Sequence, residues 1–299
     1  MLGTRSIKRR IKTTQSIRQI TKAMEMVSAS KMRRAQLSAL RSKPYAKKLQ
    51  EILRRLAIHT DLTQLPLFAV NRKGKTVIVL VSSDRGLTGG LATTLFRGLE
   101  DFLSQLKLTD DQLDFIVVGK KSRDYLKKTA YSVLADFSDL PDRLTFEETL
   151  PLSKLLVDGY QERRFKKIYL IHMDFVSTLI QRVSINQLLP ILLETLSLPA
   201  TPQEMIELDV TARYDYIFEP NPQELLAGLV PYYLEIQVYQ ILLDARASEH
   251  SARMVAMKNA SDNASDIIYD LTLEYNKSRQ AAITNELLDI VTATATSKS

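Results

Sequence analysis

The sequence predicts a mixed α/β protein in which two long terminal helices pair with each other and frame a folded insert. Three observations carry this. Apolar or small residues recur at steps of three and four at both ends of the chain. Short Val- and Ile-rich runs alternate with helical patterns in the middle, and neither proline nor glycine occurs after Pro231.

The first helical face runs through Ile7, Ile11, Thr14, Ile17, Ile20 or Thr21, Met24, Val27, Met32 and Ala35. Pro44 is expected to interrupt it, with a second helical stretch through Leu49, Ile52, Leu53 and Leu56. Continuous to Lys43, the first helix spans roughly 60 Å at about 1.5 Å per residue, too long for one compact domain to cover.

Across 74–218 the period changes. KTVIVLVSS, DFIVVG and KKIYLIHMDF read as buried strands, and helical patterns lie near 91–107, 119–128 and 151–162. Strand and helix in alternation predict a largely parallel sheet. STLIQRVSI and YDYIFEP read as further strands nearer an edge.

After Pro220, Pro222 and Pro231 a single seam can be followed: Leu243, Ala247, His250, Met254, Met257, Ser261, Ala264, Ile268, Leu271, Tyr275, Ser278, Ala282. Its steps of four and three are those of a heptad repeat. A helix from Tyr232 to Thr292 would span roughly 90 Å. Two such helices at opposite ends of a chain pair most simply as an antiparallel coiled coil. Many inward positions hold Ala, Ser or Thr, and each forgoes roughly 1.5–3 kcal/mol of side-chain burial. Such a rod needs something around it. The competing reading, a helix merely packed on the α/β body, predicts a wider apolar face.

Composition narrows the function. The 299 residues are 45% hydrophobic and contain no Cys, which excludes disulfides, zinc–thiolate sites, iron–sulfur clusters and thiol nucleophiles. The net charge of +7 is unevenly placed. Residues 1–58 hold 16 bases and two acids, 59–223 hold 19 and 22, and 224–299 hold six and ten. A basic helix thus faces an acidic one. The Arg-rich, acid-free start superficially suits a transit peptide, but its helical pattern continues without a cleavable break. Neither a secretory signal nor a run of about 18 apolar residues is present, so a cytoplasmic or equivalent compartment is expected.

SSDRGLTGGLATTLF places Gly86, Gly89 and Gly90 between a strand and a helix, where phosphate loops often sit. It matches neither the dinucleotide fingerprint nor the Walker pattern, and Gly119-Lys120-Lys121-Ser122 lacks its upstream glycine. A tight structural turn is the better reading. With His59, His172 and His250 as the only histidines, no catalytic constellation assembles; His250 sits in the seam and His172 in a strand. The basic arm suits phosphates, yet residues 1–43 hold no aromatic residue to stack on bases. From the residues alone, a scaffold or shaft ranks first, a basic coiled-coil nucleic-acid binder second and an enzyme third.

Four stretches carry a resemblance. ITKAMEMVSASKMRRAQ (20–36), SSDRGLTGG (82–90), ASEHSARMVAMKNASDNA (247–264) and YNKSRQAAITNELLDIV (275–291) resemble the gamma subunit of the rotary F-type ATP synthase, in the family's order and spacing. Residues 108–218 match mainly in architecture. The resemblance implies a long antiparallel coiled coil of N- and C-terminal helices with a Rossmann-like α/β domain inserted between them. The expected division is 1–58, 74–218 and 224–299. It further implies a central rotor shaft inside a ring of three alpha and three beta subunits, with a foot on the epsilon subunit and the membrane c ring. Ion-driven rotation would force the catalytic beta subunits through their states. This chain would have no active site, cofactor or metal of its own, no nucleic-acid partner and no direct membrane insertion. It would lie peripherally on the cytoplasmic face of an energy-coupling membrane.

Positions matching the family's contacts with beta-subunit catch loops are Arg253, Arg279, Gln280, Thr284 and Glu286; Met24 matches the methionine beside the beta hinge. Arg-to-carboxylate bonds are directional yet can be remade at each step. There are departures. Ala293 and Thr294 replace a Gly-Ala pair, Thr88 replaces a Cys and Ala92 an Asn. These point to a divergent branch, for which an alternative Na⁺-type synthase is one reading. The coupling ion stays open.

Overall fold

In a computed structural model the apolar runs of the middle segment form a five-stranded sheet; residues 4–58, 60–192 and 218–296 are described. The strands are β1 (Lys75–Val81), β2 (Leu113–Val118), β3 (Val133–Asp136), β4 (Phe165–Phe175) and β5 (Gln181–Leu189), in the order β3-β2-β1-β4-β5. β1 pairs in parallel with β2 and β4, and β2 with β3; β5 returns antiparallel to β4.

Period-two alternation sends Val77, Val79 and Val81 to one face of β1 and Ile78 and Leu80 to the other. Helices α2 (Leu91–Leu106) and α3 (Lys120–Leu126) cover the second face through Leu91, Leu95, Leu99 and Leu126. The first face is covered by α4 (Leu150–Gln161) and by parts of two much longer helices, α1 (Thr4–Ile58) and α5 (Pro222–Thr296). With both faces buried, the strands read as continuous apolar runs. By length and composition α5 is apolar enough to cross a membrane. Leu226, Val230, Tyr233, Leu234, Ile236, Val238, Ile241, Leu242 and Leu243 of this helix are core residues of the same sheet face, which accounts for part of that composition.

The described chain divides into two compact units, Met1–Ala29 with Arg253–Ser299, and Ser30–Ala252. In the larger unit the two long helices run antiparallel. Tyr45 packs edge-on against Tyr232 with ring centroids 6.0 Å apart, whereas Lys31 to Ser38 share a groove with Leu243 and Arg246. In the smaller unit the seam expected in α5 is the face that is covered: Met257, Ser261, Ala264 and Leu271 are buried, and Met254, Ile268, Tyr275 and Ser278 half-buried.

Several expectations are corrected. Pro44 does not interrupt α1, which is continuous from Thr4 to Ile58. Proline removes one donor and leaves the Leu40 carbonyl without its usual partner. Its ring lies on the exposed side, and Ala39, Ala46, Leu49 and Leu53 hold both flanking turns in the core. The seam of α1 also runs differently from the one read in sequence. Ile7, Thr21, Ser28, Met32, Ala39, Ala46, Leu49, Leu53 and Leu56 are buried, all on one four-three repeat, while Ile17, Ile20 and Val27 are 48%, 60% and 55% exposed. Thr21 can be buried because its hydroxyl donates to the Ile17 and Arg18 carbonyls at 3.1 and 3.0 Å.

Helix α5 starts ten residues before the expected Tyr232 and passes through Pro231. Asn221 caps it, accepting from the Glu224 N–H at 2.8 Å, while the Asn221 amide donates to the Glu224 carboxylate at 2.7 Å. Pro222 stands at the first helical position, where its missing N–H costs nothing. β3 went unpredicted because it is short and largely exposed and carries no apolar period. The strand expected over YDYIFEP lies largely outside the described residues, as does His59.

His172 of β4 is 2% exposed and its Nδ1 has no hydrogen-bond partner. Burial pushes its imidazole down to about 4, against the pull of Asp174. As pH falls from 6.5 toward 4, the unfolded chain therefore takes up a proton that the folded chain refuses. Urea unfolding should lose about 3 kcal/mol over that window. His172→Phe should remove this part of the pH dependence; an identical slope in the variant would show that His172 does not cause it.

Candidate functional site

The residues singled out at the two ends all lie in the smaller unit, and the structure does not gather them into one cluster. Met24 is half-buried and Arg253 is buried, at 7% exposure. Arg279, Gln280, Thr284 and Glu286 are exposed near the end of α5. At 26 residues apart, Arg253 and Arg279 are separated by about 39 Å of helix. Arg279 and Glu286, seven residues apart, share one face; Gln280 and Thr284, four apart, share another, and the Thr284 hydroxyl donates to the Gln280 carbonyl at 3.0 Å.

Around them the helix is exposed on every side. From Ala281 to Leu288 each residue is exposed, including Ile283, Leu287 and Leu288 at 48%, 58% and 58%. Ile283, Leu287 and Ile290 stand at steps of four and three, the stripe of a helix that packs on something, and all three are exposed to solvent. Ile17, Ile20, Met26 and Val27 of α1 are likewise outward. Apolar rows of this extent mark contact surfaces for other proteins.

The glycine-rich turn after β1 has a different character. In a nucleotide fold the amide donors at this edge would hold a phosphate. Here residues of the turn instead accept from the amides at the start of α3, at the end of the neighbouring strand β2. The N–H of Lys120, at the start of α3, donates to Asp84 Oδ1 at 3.1 Å; that of Lys121 donates to the Ser83 carbonyl at 3.1 Å, and that of Ser122 to Ser82 Oγ at 2.7 Å. The Asp84 carboxylate stands where an anion would bind. The space left between this turn and α5 is a cavity of about 10 Å³ lined by Ser82, Ser83, Leu91 and Glu249, room for a single water at most. Gly119 is required by close approach: its φ is +98°, and a Cβ there would lie 2.2 Å from the Ser82 carbonyl oxygen.

A buried guanidinium completes the arrangement. Arg246 of α5, with a side chain 10% exposed, donates from Nη1 to Asp84 Oδ2 at 3.0 Å and to Glu249 Oε2 at 3.0 Å, and from Nη2 to the Leu140 carbonyl at 3.0 Å. Burial disfavours its charge; the Glu249 and Asp84 carboxylates more than offset this and raise its pKa. Nearby, the Lys31 ammonium bonds Asp142 and holds that carboxyl below its usual range. Sequence reasoning missed Arg246. The signal was available: an arginine inside a stretch of α5 otherwise given over to core residues must find buried partners.

A sheet covered on both faces, joined to helices with exposed apolar rows, defines a subunit suited to contact with other chains. The comparisons agree. A family described as ATP synthase matches residues 3–296. Proteins named ATP synthase gamma chain include one from Chloroflexus aurantiacus, 38% identical over 99% of both chains, and one from Geotalea uraniireducens, 37% identical over the full length of both. Among solved structures, the rotor of the Euglena gracilis mitochondrial ATP synthase matches with a TM-score of 0.61 at 17% identity, covering 94% of this chain and 98% of that one. The central stalk of the Tetrahymena thermophila mitochondrial ATP synthase matches at 0.58 and 22% identity, over 81% and 99%. The chain belongs to the ATP synthase gamma chain family.

Two outcomes follow from the closed turn. Gly119→Ala should destabilise the chain by on the order of 3 kcal/mol in urea unfolding, whereas Gly86→Ala, in open space, should change it by less than about 1 kcal/mol. Titrating the purified chain with Mg-ATP should give no saturable binding at millimolar concentrations; a micromolar site at the Ser82–Gly90 turn would overturn this account.

Proposed function

We propose that this chain is the central rotor shaft of an F-type ATP synthase. It couples ion-driven rotation of the membrane c ring to ATP synthesis or hydrolysis in the catalytic beta subunits. Family membership over nearly the whole length supports this, as do structural relatives described as rotor and central stalk. One observation in the molecule carries it: the last turns of α5 are exposed all round and present Ile283, Leu287 and Leu288 on one side with polar residues on the other, which suits a helix end enclosed by other subunits. The basic nucleic-acid-binding alternative finds no support among the relatives.

On this reading the partners are three alpha and three beta subunits, the epsilon subunit and the c ring. The complex sits peripherally on the cytoplasmic face of its membrane, and catalysis belongs to the beta subunits. The segments 1–58 and 224–299 serve as the shaft and 74–218 as the α/β domain of its foot.

Arg279, Gln280, Thr284 and Glu286 are exposed donors and acceptors suited to contacts remade at each step, and Met24 and Arg253 act closer to the helix pair. A rotor biases three equivalent sites only if its interaction free energy with each differs at a given angle. The differing faces of α5 supply that asymmetry.

Expressed with its own alpha and beta subunits, the chain should co-purify as a complex; failure to assemble would refute the shaft. Deleting 280–299 should leave assembly possible but weaken ion pumping per ATP hydrolysed. Ile283→Ser with Leu287→Ser should loosen the assembled chain, each change removing about 1.5–3 kcal/mol of burial against the ring, or about tenfold or more in dissociation rate.

A further inference from the structure

One face of α1 carries Lys31, Arg34 and Ser38, at steps of three and four, and these line a cavity of about 70 Å³. Arg143 and Leu144, in the loop after β3, and Leu243 and Arg246 of α5 close its other sides. All of them belong to the larger unit. A single water needs roughly 10–15 Å³, so the space takes several waters or one small ion. Its floor is apolar, with Leu144 and Leu243 buried. Its walls are cationic, and their charges are unequally matched. Lys31 bonds Asp142, and Arg246 is held between Asp84 and Glu249. Arg34 donates to the Ser30 hydroxyl at 3.3 Å, and among the described residues neither Arg34 nor Arg143 forms an ion pair.

We propose that this cavity binds a small tetrahedral oxyanion of the phosphate class, gripped by Arg34 and Arg143, which staples α1 to the loop after β3. The site lies wholly within this chain and does not depend on the shaft reading. Two guanidinium forks approaching one space from different elements match an oxyanion, which each can bond bidentately. Above an apolar floor that attraction is weakened less by solvent than on an open surface. Ser38 adds a hydroxyl, and Arg246, with three of its five N–H donors spent on Asp84, Glu249 and the Leu140 carbonyl, has two more. Asp142 is the one acid among the lining residues, and Lys31 neutralises it. Chloride has no second oxygen for a fork to hold. A nucleotide is too large, since pockets for such ligands run to roughly 300–1,000 Å³. The occupant that fits is therefore the free anion.

The test melts the full chain at fixed ionic strength while sodium phosphate replaces sodium chloride. An anion bound only by the folded chain raises its melting temperature. The rise should saturate with a half-point of about 1–10 mM, the affinity expected of two charge-assisted contacts at a half-open site. Sulfate, of the same shape, should act alike. Arg34→Gln or Arg143→Gln should shift the half-point upward about tenfold or more, the pair together should abolish saturation, and Arg34→Lys should lie between. Both arginines are exposed, so their loss leaves the core intact. Arg72→Gln, which removes an equal charge from an exposed position elsewhere, should leave the titration unchanged. Amide exchange over 140–146 should slow about twofold or more on saturation, and only where both arginines are present. A melting temperature that follows chloride as closely as phosphate, or a phosphate effect that survives in the double variant, overturns the site. Tighter saturation by glycerol phosphate, the mimic of a lipid headgroup, or protection by Mg-ATP through the same arginines, overturns the assignment to a free anion.

Discussion

Small side chains at inward helix positions are the constraint from which most of this molecule follows. Thr21, Ser28, Ala39 and Ala46 in α1, with Ala247, Ser261 and Ala264 in α5, occupy places where leucine would give more burial. Small residues allow close approach, but they leave the larger apolar residues nowhere to go except outward. Ile17, Ile20, Val27, Ile283 and Leu287 are exposed for that reason. A chain built this way is incomplete alone, and its missing burial is supplied by whatever surrounds it.

The α/β domain obeys the opposite logic. Its sheet is covered on both faces, and at the carboxyl end of its strands the start of α3 is held by a carboxylate of the chain itself. Asp84 is the pivot, caught between the start of α3 and the guanidinium of Arg246. Taking one partner from a buried ion pair costs about 3–5 kcal/mol, since it strands the other charge.

Most of the fold was legible in the sequence, and the failures have identifiable physics. β1, β2 and β4 announced themselves because strands buried on both faces are apolar throughout. β3 did not, being an exposed four-residue edge. The seam of α5 was readable as a strict heptad, whereas that of α1 was misplaced onto Ile17, Ile20 and Val27. Hydrophobicity is a poor guide where the buried residues are Thr and Ser and the apolar ones await a partner. Pro44 misled because tertiary packing overrode a local breaker, and the Asn221-Pro222-Gln223-Glu224 cap, a true start signal, was hidden among prolines. The Asp84–Arg246 ion pair was invisible in the sequence, since its partners are 162 residues apart.

The composition of the smaller unit sets a timetable for making the protein. It joins Met1–Ala29 to Arg253–Ser299, so the first helix to leave the ribosome waits for the last. More than two hundred residues must be translated in between, on the order of ten seconds or longer at about 5–20 residues per second. Throughout that interval Ile7 and its neighbours have no counterpart to close on, and by its end the four parallel strands have all been made. The nascent chain thus folds from its middle outward, and its two ends come together last.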